Sequence, residues 1–593
     1  MVTKRKKDLN KSIYGMCLVP GIAFGEALLM KYRVPNKVFD DSVVVEVDYE
    51  ILKLDNAIQV LKKEFAFIKD KVNRETGSDE AGIFAAHSMI VEDVGFINEI
   101  KQIIKERRIS LEDAIDDILT KYTKKFEAIT NPRLRDKIID LRDVLMRIQK
   151  QSTYRTTNSL SSIGNGDYIL VTEEILPSSI LNIHENHIHG IVTVVGGLGS
   201  HASVLAKSYN VPVVAVSKSA IKKIVTGSIL ALDGHKSKIC INPTESELSV
   251  LDEKRKAFDF YKADIHKKAQ TKVETVDGQG IQVLANCGTL SEIDDAMDAG
   301  ADGVGLFRTE FIFHAFNAFP SEEDQYTMYK EAALKCGQKP LTIRTLDLGG
   351  DKALPYFLIP KQMNPYLGWR SLKISFDHKD EFKRQIRAIL RASAHGDIRI
   401  LFPMVTSYWD AVQCQNIIAE CKEELRSEKK VFKADIQVGA MIETPSAILC
   451  LADIYREINF ISIGSNDLTQ HVLAVDRNNP RVSEFYTPHH PSMINLLGDI
   501  FRQVPDVGDV SICGEMASHP YYIELLLNLG FRKLSMSASF IPIVKDIVKK
   551  IDLSRGQEKV NELKALKQAD AIFEELKQST LQAWPMAKQI VGE

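Results

Sequence analysis

Residues 436–467 read IQVGAMIETPSAILCLADIYREINFISIGSND. Two short apolar runs, at 436–442 and 460–464, have the length and composition of buried strands. The segment that begins at Pro445 lies between them and has the apolar spacing of a helix. A strand, a helix and a second strand in this order predict a unit of a parallel sheet, in which both strands end at the same edge.

The same alternation extends over residues 276–593. Eight such units over about 300 residues predict a (β/α)₈ barrel of the TIM type, whose active site lies at the carboxyl ends of the strands. A doubly wound open sheet is the alternative, and the eight units without a GxGxxG motif favour the barrel. The predicted strands begin at Ile281, Gly303, Leu341, Arg399, Ile436, Phe460, Val510 and Lys533.

The N-terminal half has a different organisation. Two strand-like runs begin at Met16 and Ala23, and residues 48–150 then show an amphipathic helical stripe with very few glycines and prolines. Strand-like runs return after residue 160, which predicts one α/β domain interrupted by a helical bundle. These later strands begin at Tyr168, Gly190, Val211, Ser228 and Lys238. We therefore expect a multidomain α/β protein with an α/β domain at 1–34 and 151–243, a helical insert at 35–150, a linker helix at 244–275 and the barrel at 276–593.

The composition excludes several classes of protein. Of the 593 residues, 45% are hydrophobic and 26% are charged, which is typical of folded globular proteins rather than disordered or fibrous ones. The formal net charge of −3 gives no charge-driven association with nucleic acid or membranes. There is no apolar run of about 18 residues, so no membrane insertion is predicted. The eight cysteines lack CxxC spacing, which indicates reduced thiols and a cytoplasmic location.

Polar side chains lie at the predicted ends of several barrel strands. Isolated buried charges are costly unless they are paired or bound to a ligand. A rim of structural ion pairs is one interpretation, but several charges of each sign favour a polyanionic substrate held together with a cation. The residues are Asn286, Arg308, Arg344, Glu443, Asn466, Asp467 and Cys513.

Glu443 and Asp467 are 24 residues apart, so we expect them on neighbouring strands. Such a pair can chelate Mg²⁺, which prefers oxygen ligands, or can act as the acid and base of a glycosidase. The arginines argue against a sugar, because planar guanidinium groups suit phosphate or carboxylate. Besides Arg308 and Arg344, the candidates are Arg370 and Arg477.

Other polar positions give weaker signals. Asp351 and Lys352 follow two glycines and resemble a loop that approaches phosphate. Cys513 is either a proton donor or simply a buried thiol. The histidine-rich stretch at 184–189 and the pair at 489–490 superficially suggest a metal site, but we expect polar connectors there.

Several longer motifs resemble those of one family, Enzyme I of the sugar phosphotransferase system, the phosphoenolpyruvate–protein phosphotransferases. The resemblance covers nearly the whole chain in the same order and is most specific in the barrel. The motifs are PGIAFGEALL at 20–29, IFAAHSMIVED at 83–93, GGLGSHASVLAKSYNVPVV at 196–214, DGVGLFRTEFIF at 302–313, IRTLDLGGDKALPY at 343–356, NPYLGWR at 364–370, GAMIETPSA at 439–447, FISIGSNDLTQHVLAVDRNN at 460–479 and CGEMAS at 513–518.

The resemblance implies an activity and a set of roles. His201 would accept the phosphoryl group of phosphoenolpyruvate in a swivelling α/β domain, and Cys513 would protonate the enolpyruvate to give pyruvate. The helical insert would dock the phosphocarrier protein HPr, whose own histidine takes the phosphate, and the barrel would form a homodimer. Glu443 and Asp467 would hold Mg²⁺. Phosphoenolpyruvate would be bound by Arg308, Arg344, Asn466, Asp467 and Arg477.

One departure from the family pattern keeps a second interpretation open. Leu198 and Gly199 occupy the positions where the family usually has Arg and Thr before the histidine. A catalytically weakened regulatory paralogue that binds HPr or phosphoenolpyruvate is therefore the alternative. Pyruvate phosphate dikinase and phosphoenolpyruvate synthase share the histidine domain and the barrel, but they also carry a large nucleotide-binding domain and lack the helical insert.

Overall fold

The computed structural model describes residues 11–19, 21–30, 46–75, 87–127, 132–152, 167–174, 187–195, 211–314, 316, 318–350, 352, 354, 356–360, 362–477, 479 and 481–591. The chain forms two compact units: a first unit of residues 1–258 with 588–593, and a second unit of residues 259–587. The four domain boundaries expected from the sequence stay predictions.

A mixed eight-stranded sheet forms the α/β part of the first unit. Its strands are β1 (Lys11–Tyr14), β2 (Met16–Val19), β3 (Ile22–Met30), β4 (Tyr168–Glu174), β5 (Ile188–Val195), β6 (Val213–Ala215), β7 (Ile229–Asp233) and β8 (Lys238–Ile241). They are ordered β1-β8-β7-β3-β4-β5-β6-β2, with β3 to β6 parallel and the other pairs antiparallel. The strands predicted for this part of the chain are confirmed.

Helices occupy the stretch of chain between β3 and β4. They are α1 (Val47–Glu75), α2 (Val94–Arg107), α3 (Leu111–Glu127) and α4 (Pro132–Ser152), and residues 87–92 are helical as well. The amphipathic stripe predicts their packing correctly, because Leu54, Leu61 and Phe65 of α1 are fully buried. They share one apolar core with Leu170 and Ile191 of the sheet, so the bundle packs on one sheet face. Two further helices follow, α5 (Lys218–Ile221) and α6 (Glu245–Lys268).

The second unit contains a closed barrel of eight parallel strands. They are β10 (Gly280–Cys287), β11 (Val304–Arg308), β12 (Leu341–Arg344), β13 (Ile398–Phe402), β14 (Gln437–Ile442), β15 (Phe460–Gly464), β16 (Val510–Cys513) and β17 (Lys533–Met536). Each strand pairs with the next, and β10 pairs with both β11 and β17, which closes the barrel. A short strand β9 (Val273–Glu274) pairs antiparallel with β10. All eight predicted strands, and with them the predicted fold, are confirmed.

Helices follow the barrel strands as the sequence predicts. They are α7 (Leu290–Asp298), α8 (Glu310–His314), α9 (Glu322–Cys336), α10 (Leu372–Asp377), α11 (Lys379–Ala392), α12 (Tyr408–Ser427), α13 (Pro445–Leu449), α14 (Leu451–Tyr455), α15 (Ser465–Leu473), α16 (Pro491–Gln503), α17 (Pro520–Leu529), α18 (Ile541–Val548), α19 (Gly556–Ala565), α20 (Ala569–Ala583) and α21 (Ala587–Val591). The helical segment after Pro445 is two short helices rather than one, because the backbone of Cys450 (φ −106°, ψ 15°) leaves the helical region between them.

Two of the predictions from composition concern membrane-spanning helices and the state of the cysteines. Across the described ranges, no helix is both long enough and apolar enough to cross a membrane. All eight cysteines are free thiols, as the sequence predicts.

Candidate functional site

The carboxyl ends of the barrel strands place the predicted polar residues around one opening. β11 ends at Arg308 and β12 at Arg344, and these two residues are register partners in adjacent strands. β16 ends at Cys513, which is the register partner of Gly464 at the end of β15. Parallel strands end at the same edge, so these side chains share one end of the barrel.

The two candidate metal ligands come from neighbouring strands, as their spacing predicts. Glu443 directly follows β14, and Asp467 lies in the first turn of α15, directly after β15. These two strands are parallel neighbours. Asn466 is in the same turn, where its Oδ1 accepts the backbone N–H of Glu515 at 3.0 Å.

Arg344 lies in a buried network of charges at this end of the barrel. Its guanidinium pairs with Glu310 at the start of α8, and its Nη1 is 3.5 Å from Oδ2 of Asp347. Lys352 joins the same two carboxylates, with its Nζ 2.8 Å from Glu310. The sequence interpretation did not include Glu310 and Asp347. Their positions in the sequence could have indicated them, because each lies two or three residues after an arginine that ends a barrel strand.

A second part of the network is centred on Asp467. Its Oδ2 is 3.2 Å from Nη2 of Arg370, and its Oδ1 is 3.0 Å from Nη1 of Arg477. Arg370 also approaches Asp347, at 3.5 Å, and therefore connects the two parts of the network. Three of the four predicted arginines, Arg344, Arg370 and Arg477, thus contact carboxylates of this one network.

The buried charges hold one another in their ionised forms. Burial disfavours the charge of Asp347, but Lys352, Arg344 and Arg370 outweigh burial and hold the pKa of that carboxyl well below its usual range. Burial likewise opposes the charge of Glu310, whose pKa is nevertheless lowered by Arg344 and Lys352. The pKa values of Arg344 and Arg370 are raised, because nearby carboxylates more than offset burial.

The pKa of Glu443 is shifted in the opposite direction, away from the ionised form. Burial, followed by the charges of Asp467 and Asp347, raises the pKa of Glu443 to about 8, although Arg344 and Arg370 act against this. At this carboxyl, burial and the neighbouring carboxylates therefore outweigh the two arginines.

Two backbone features hold the Glu443 side chain in place. Its Oε1 accepts the backbone N–H of Met404 at 2.7 Å, and Met404 has a φ of +50°, which is uncommon for a residue other than glycine. A Cβ at Gly464 would lie 2.6 Å from Oε2 of Glu443, so only glycine leaves room for the carboxylate there.

Several guanidinium N–H groups at this opening are buried without a hydrogen-bond partner among the described residues. They are Nε of Arg308, Nε of Arg344, and Nε and Nη1 of Arg370. A buried donor without a partner costs roughly 1–3 kcal/mol, and more when it is charged. Such donors, from three strand-end or loop arginines, form an arrangement suited to an anion with several oxygens.

Cys513 is a buried thiol beside this network. Its Sγ donates to the carbonyl oxygen of Ile463 at 3.4 Å and accepts from Oγ of Ser462 at 3.7 Å. Burial and the charge of Glu443 raise the pKa of Cys513 to about 11, against the effect of the Ser462 hydroxyl. The sulfur therefore carries its proton at neutral pH.

The residues at this opening fit a divalent cation that takes part of its coordination from water and substrate. Within the described ranges, no group of three or more His, Cys, Asp or Glu side chains is arranged to hold a metal ion. Two carboxylates do lie close enough to interact, because the charge of Asp467 contributes to the raised pKa of Glu443. Mg²⁺ typically binds through one or two carboxylates and takes its remaining ligands from water and substrate phosphates.

The histidines singled out in the sequence are only partly within the described residues. His201, His184, Leu198 and Gly199 fall outside the described residues. His189 pairs with Asp167 at 2.8 Å, and this pair is largely exposed.

The other predicted residues have ordinary local partners. Nδ1 of His489 lies 2.8 Å from the Tyr522 hydroxyl, and His490 caps α16. Asn286 exchanges hydrogen bonds with Ser535 at the end of β17, where Oγ of Ser535 donates to Oδ1 of Asn286 at 2.6 Å.

Comparisons with known proteins match most of the length of the chain. Three family descriptions match the chain: "PEP-utilising enzyme, N-terminal" over residues 14–137, "PEP-utilising enzyme, mobile domain" over 164–237, and "PEP-utilising enzyme, PEP-binding domain" over 262–553. The last of these covers the barrel strands and every predicted barrel residue.

Several relatives match the chain over most of its length. The chain is similar to a phosphoenolpyruvate-protein phosphotransferase of Geobacillus stearothermophilus, with 34% identity over 91% of this chain and 93% of the relative. A protein of the same name from Buchnera aphidicola subsp. Schizaphis graminum is 36% identical over 92% and 96%. A solution structure of Enzyme I (nEIt) is 26% identical and covers 42% of this chain and 99% of its own, but its TM-score of 0.33 supports no argument about the fold. The chain belongs to the Enzyme I family of phosphoenolpyruvate–protein phosphotransferases.

Proposed function

We propose that this chain transfers the phosphoryl group of phosphoenolpyruvate to its own His201 and then to a histidine of the phosphocarrier protein HPr, releasing pyruvate. The observation that carries the proposal is the set of buried guanidinium N–H groups of Arg308, Arg344 and Arg370 that find no hydrogen-bond partner in the described part of the chain. A phosphate with an adjacent carboxylate supplies the multiple anionic oxygens that these donors lack. Membership of the family supports the choice of substrate.

The substrate would bind to residues from several strands at once. Arg308, Arg344 and Arg477 would contact its anionic oxygens together with the amide of Asn466, whose own oxygen is already held by the backbone of Glu515. Glu443 and Asp467 would hold Mg²⁺, with Asp467 also adjoining the substrate. Bound Mg²⁺ would neutralise part of the charge on the phosphate during transfer.

The reaction breaks two bonds, P–O and the S–H of Cys513, and forms two, P–N and C–H. The bond between phosphorus and the enol oxygen of phosphoenolpyruvate breaks, and a phosphorus–nitrogen bond forms to the neutral imidazole of His201. The enolate that leaves takes a proton at carbon, and Cys513 would supply it, because its raised pKa keeps the thiol protonated at neutral pH. Solvent then restores the proton on sulfur.

The remaining parts of the proposal concern partners. The helical insert would dock HPr, and the barrel would mediate a homodimer in the cytoplasm. The family resemblance supports these statements. The alternative, a regulatory paralogue with weakened catalysis, rests only on Leu198 and Gly199, and no comparison favours it.

The test is incorporation of phosphate from labelled phosphoenolpyruvate in the presence of Mg²⁺. We expect label that is labile in acid and stable in alkali, as for a phosphohistidine, and its passage to added HPr. The matched variant His201→Ala should take up none. Label on that variant would refute the role of His201, and an unlabelled parent protein would favour the regulatory paralogue.

A further inference from the structure

A buried glutamine behind the barrel opening joins the two strand ends that carry Arg308 and Arg344. Gln385 lies in α11 and is 2% exposed. Its Oε1 accepts the backbone N–H of Leu346 at 2.9 Å. Its Nε2 donates to Oγ1 of Thr309 at 3.1 Å and to the Tyr329 hydroxyl at 3.1 Å.

The two loop residues that Gln385 holds are the ones next to the charged side chains. Thr309 lies between Arg308 and Glu310, directly after β11. Leu346 lies two residues after Arg344, at the end of β12, and directly before Asp347. One side chain therefore fixes both loops from which the arginines and carboxylates of the network project.

Thr309 strengthens the connection between these loops. Its hydroxyl donates to the carbonyl oxygen of Arg344 at 2.9 Å while it accepts from Gln385. The hydrogen bonds therefore run from Gln385 through Thr309 to the backbone of Arg344 itself. A shift of the Gln385 amide would move or release the arginine at its peptide group.

The donors and acceptors fix the amide in one orientation. The N–H of Leu346 can only donate, so it requires the oxygen of Gln385. The Tyr329 hydroxyl donates to Oε1 of Gln325 at 3.2 Å, so it accepts from Gln385. The Thr309 hydroxyl donates to the carbonyl oxygen of Arg344, so it too accepts from Gln385. A flipped amide would leave several buried groups without partners, at roughly 1–3 kcal/mol each.

We propose that Gln385 is a positioning residue for the reaction, which holds the ends of β11 and β12 so that Arg308 and Arg344 are preorganised to bind phosphoenolpyruvate. The proposal rests on the proposed function of these two arginines. The hydrogen bonds of Gln385 go to the backbone of Leu346 and the hydroxyl of Thr309, so it acts on the two arginines through these groups. A purely structural glutamine would stabilise the fold without affecting the affinity for substrate.

Gln325 provides a matched control for this distinction. It is also a buried glutamine, 1% exposed, and it bonds the same Tyr329, but its other bond goes to the carbonyl oxygen of Pro320 at 3.1 Å. It contacts neither strand end through these bonds. Gln385→Met and Gln325→Met each replace a buried amide by a side chain of the same length and leave comparable partners unsatisfied.

The experiment measures kcat and KM for phosphoenolpyruvate in the full chain with Mg²⁺ and HPr, together with the thermal unfolding midpoint. Turnover by the parent protein is established first, so that failure of the proposed function is recognised separately. We expect Gln385→Met to raise KM on the order of tenfold with a smaller change in kcat, because misplacement of a positioning group by about 1 Å can cost up to about a hundredfold. Gln325→Met should lower the unfolding midpoint similarly and leave KM unchanged.

Thr309→Val provides a second route to the same test if Gln385→Met does not fold. It removes the hydroxyl between Gln385 and Arg344, and we expect KM to rise in the same way. In the double variant with Gln385→Met the two effects on KM should be less than additive, because both substitutions break the same hydrogen-bonded connection. Unchanged KM values in Gln385→Met and Thr309→Val, or an equal rise in Gln325→Met, would overturn the proposal.

Discussion

Arg344 and Glu310 form a buried ion pair across the adjacent ends of β12 and β11, with side-chain exposures of 7% and 9%. Removal of Glu310 takes away one of the carboxylates that offset the buried charge of Arg344, another being Asp347 at 3.5 Å. The stability of the barrel therefore depends on this pair being complete, even though the pair lies at the site proposed to bind substrate.

We expect Glu310→Ala to lower the free energy of unfolding by up to about 3–5 kcal/mol, the range for breaking a buried ion pair on one side, because Asp347 remains as a partner of Arg344 and Lys352. Chemical denaturation followed by circular dichroism measures this change. The control is Asp453→Ala, which removes the partner of Arg456 in an exposed pair with side-chain exposures of 59% and 75%. That variant should change stability by less than about 1 kcal/mol. Similar losses in the two variants would contradict the buried network.

Glu443→Gln tests the proposed cation site. The substitution keeps the size of the side chain and its hydrogen bond from Met404 but removes the carboxylate. We expect the Mg²⁺ concentration for half-maximal phosphorylation of the chain to rise on the order of tenfold or more, the scale seen for losing groups that hold a metal. Asp453→Asn serves as an acidic control away from the barrel opening. A parent-like Mg²⁺ requirement in Glu443→Gln would exclude this carboxylate as a ligand.

The thiol of Cys513 should resist alkylation at mildly alkaline pH. Its pKa of about 11 lies above that of a free thiol, so the neutral form is favoured in the folded chain. Its contribution to stability is fully present below about pH 8.5, the pKa of an unfolded thiol. That contribution is lost as the pH rises through about 11.

Mass spectrometry after brief iodoacetamide treatment at about pH 8 measures the reactivity of each thiol. We expect label on the exposed Cys450 and none on Cys513. Both should be labelled in denaturant. Rapid labelling of Cys513 in the folded chain would contradict a protonated, buried sulfur.

The two unusual residues before His201 can be restored to the family pattern. The double substitution Leu198→Arg and Gly199→Thr returns a guanidinium and a hydroxyl to this stretch. If these groups contact phosphate, the rate of phosphoryl transfer should rise on the order of tenfold, because a hydrogen bond to a charged group contributes about 1.5–3 kcal/mol. Rapid-quench measurement of label on the histidine provides the rate. An unchanged rate would show that the chain does not need either group for this step.

The barrel could be predicted from sequence because each strand is marked by a local pattern. The apolar runs at Ile281 or Phe460 are bounded by polar turns and followed by helical segments, and these signals do not depend on distant residues. The positions of Arg308, Arg344 and Glu443 at the C-terminal ends of these strands are then enough to predict them as site residues.

The partners of these residues could not be predicted in the same way. The contact of Arg370 with Asp467 joins residues 97 positions apart and depends on the path of the loop after β12. The bond between Met404 and Glu443 depends on a backbone conformation that methionine rarely adopts. Gln385 has no local feature that separates it from the polar positions on an ordinary surface helix. Such contacts follow from the closed geometry of the barrel and the direction of each side chain.

Closure of the barrel by β17 on β10 has a consequence for synthesis of the chain. The hydroxyl of Ser535 meets Asn286 across 249 positions of sequence. Strands β10 to β16 must therefore be synthesised before the last strand can complete the cylinder. Until then the carboxylates and guanidiniums of the network remain hydrated on an open sheet. The unpaired edges of that sheet, at β10 and at the most recently made strand, favour association with other chains. We therefore expect the incomplete barrel to remain prone to association until residue 536 has emerged.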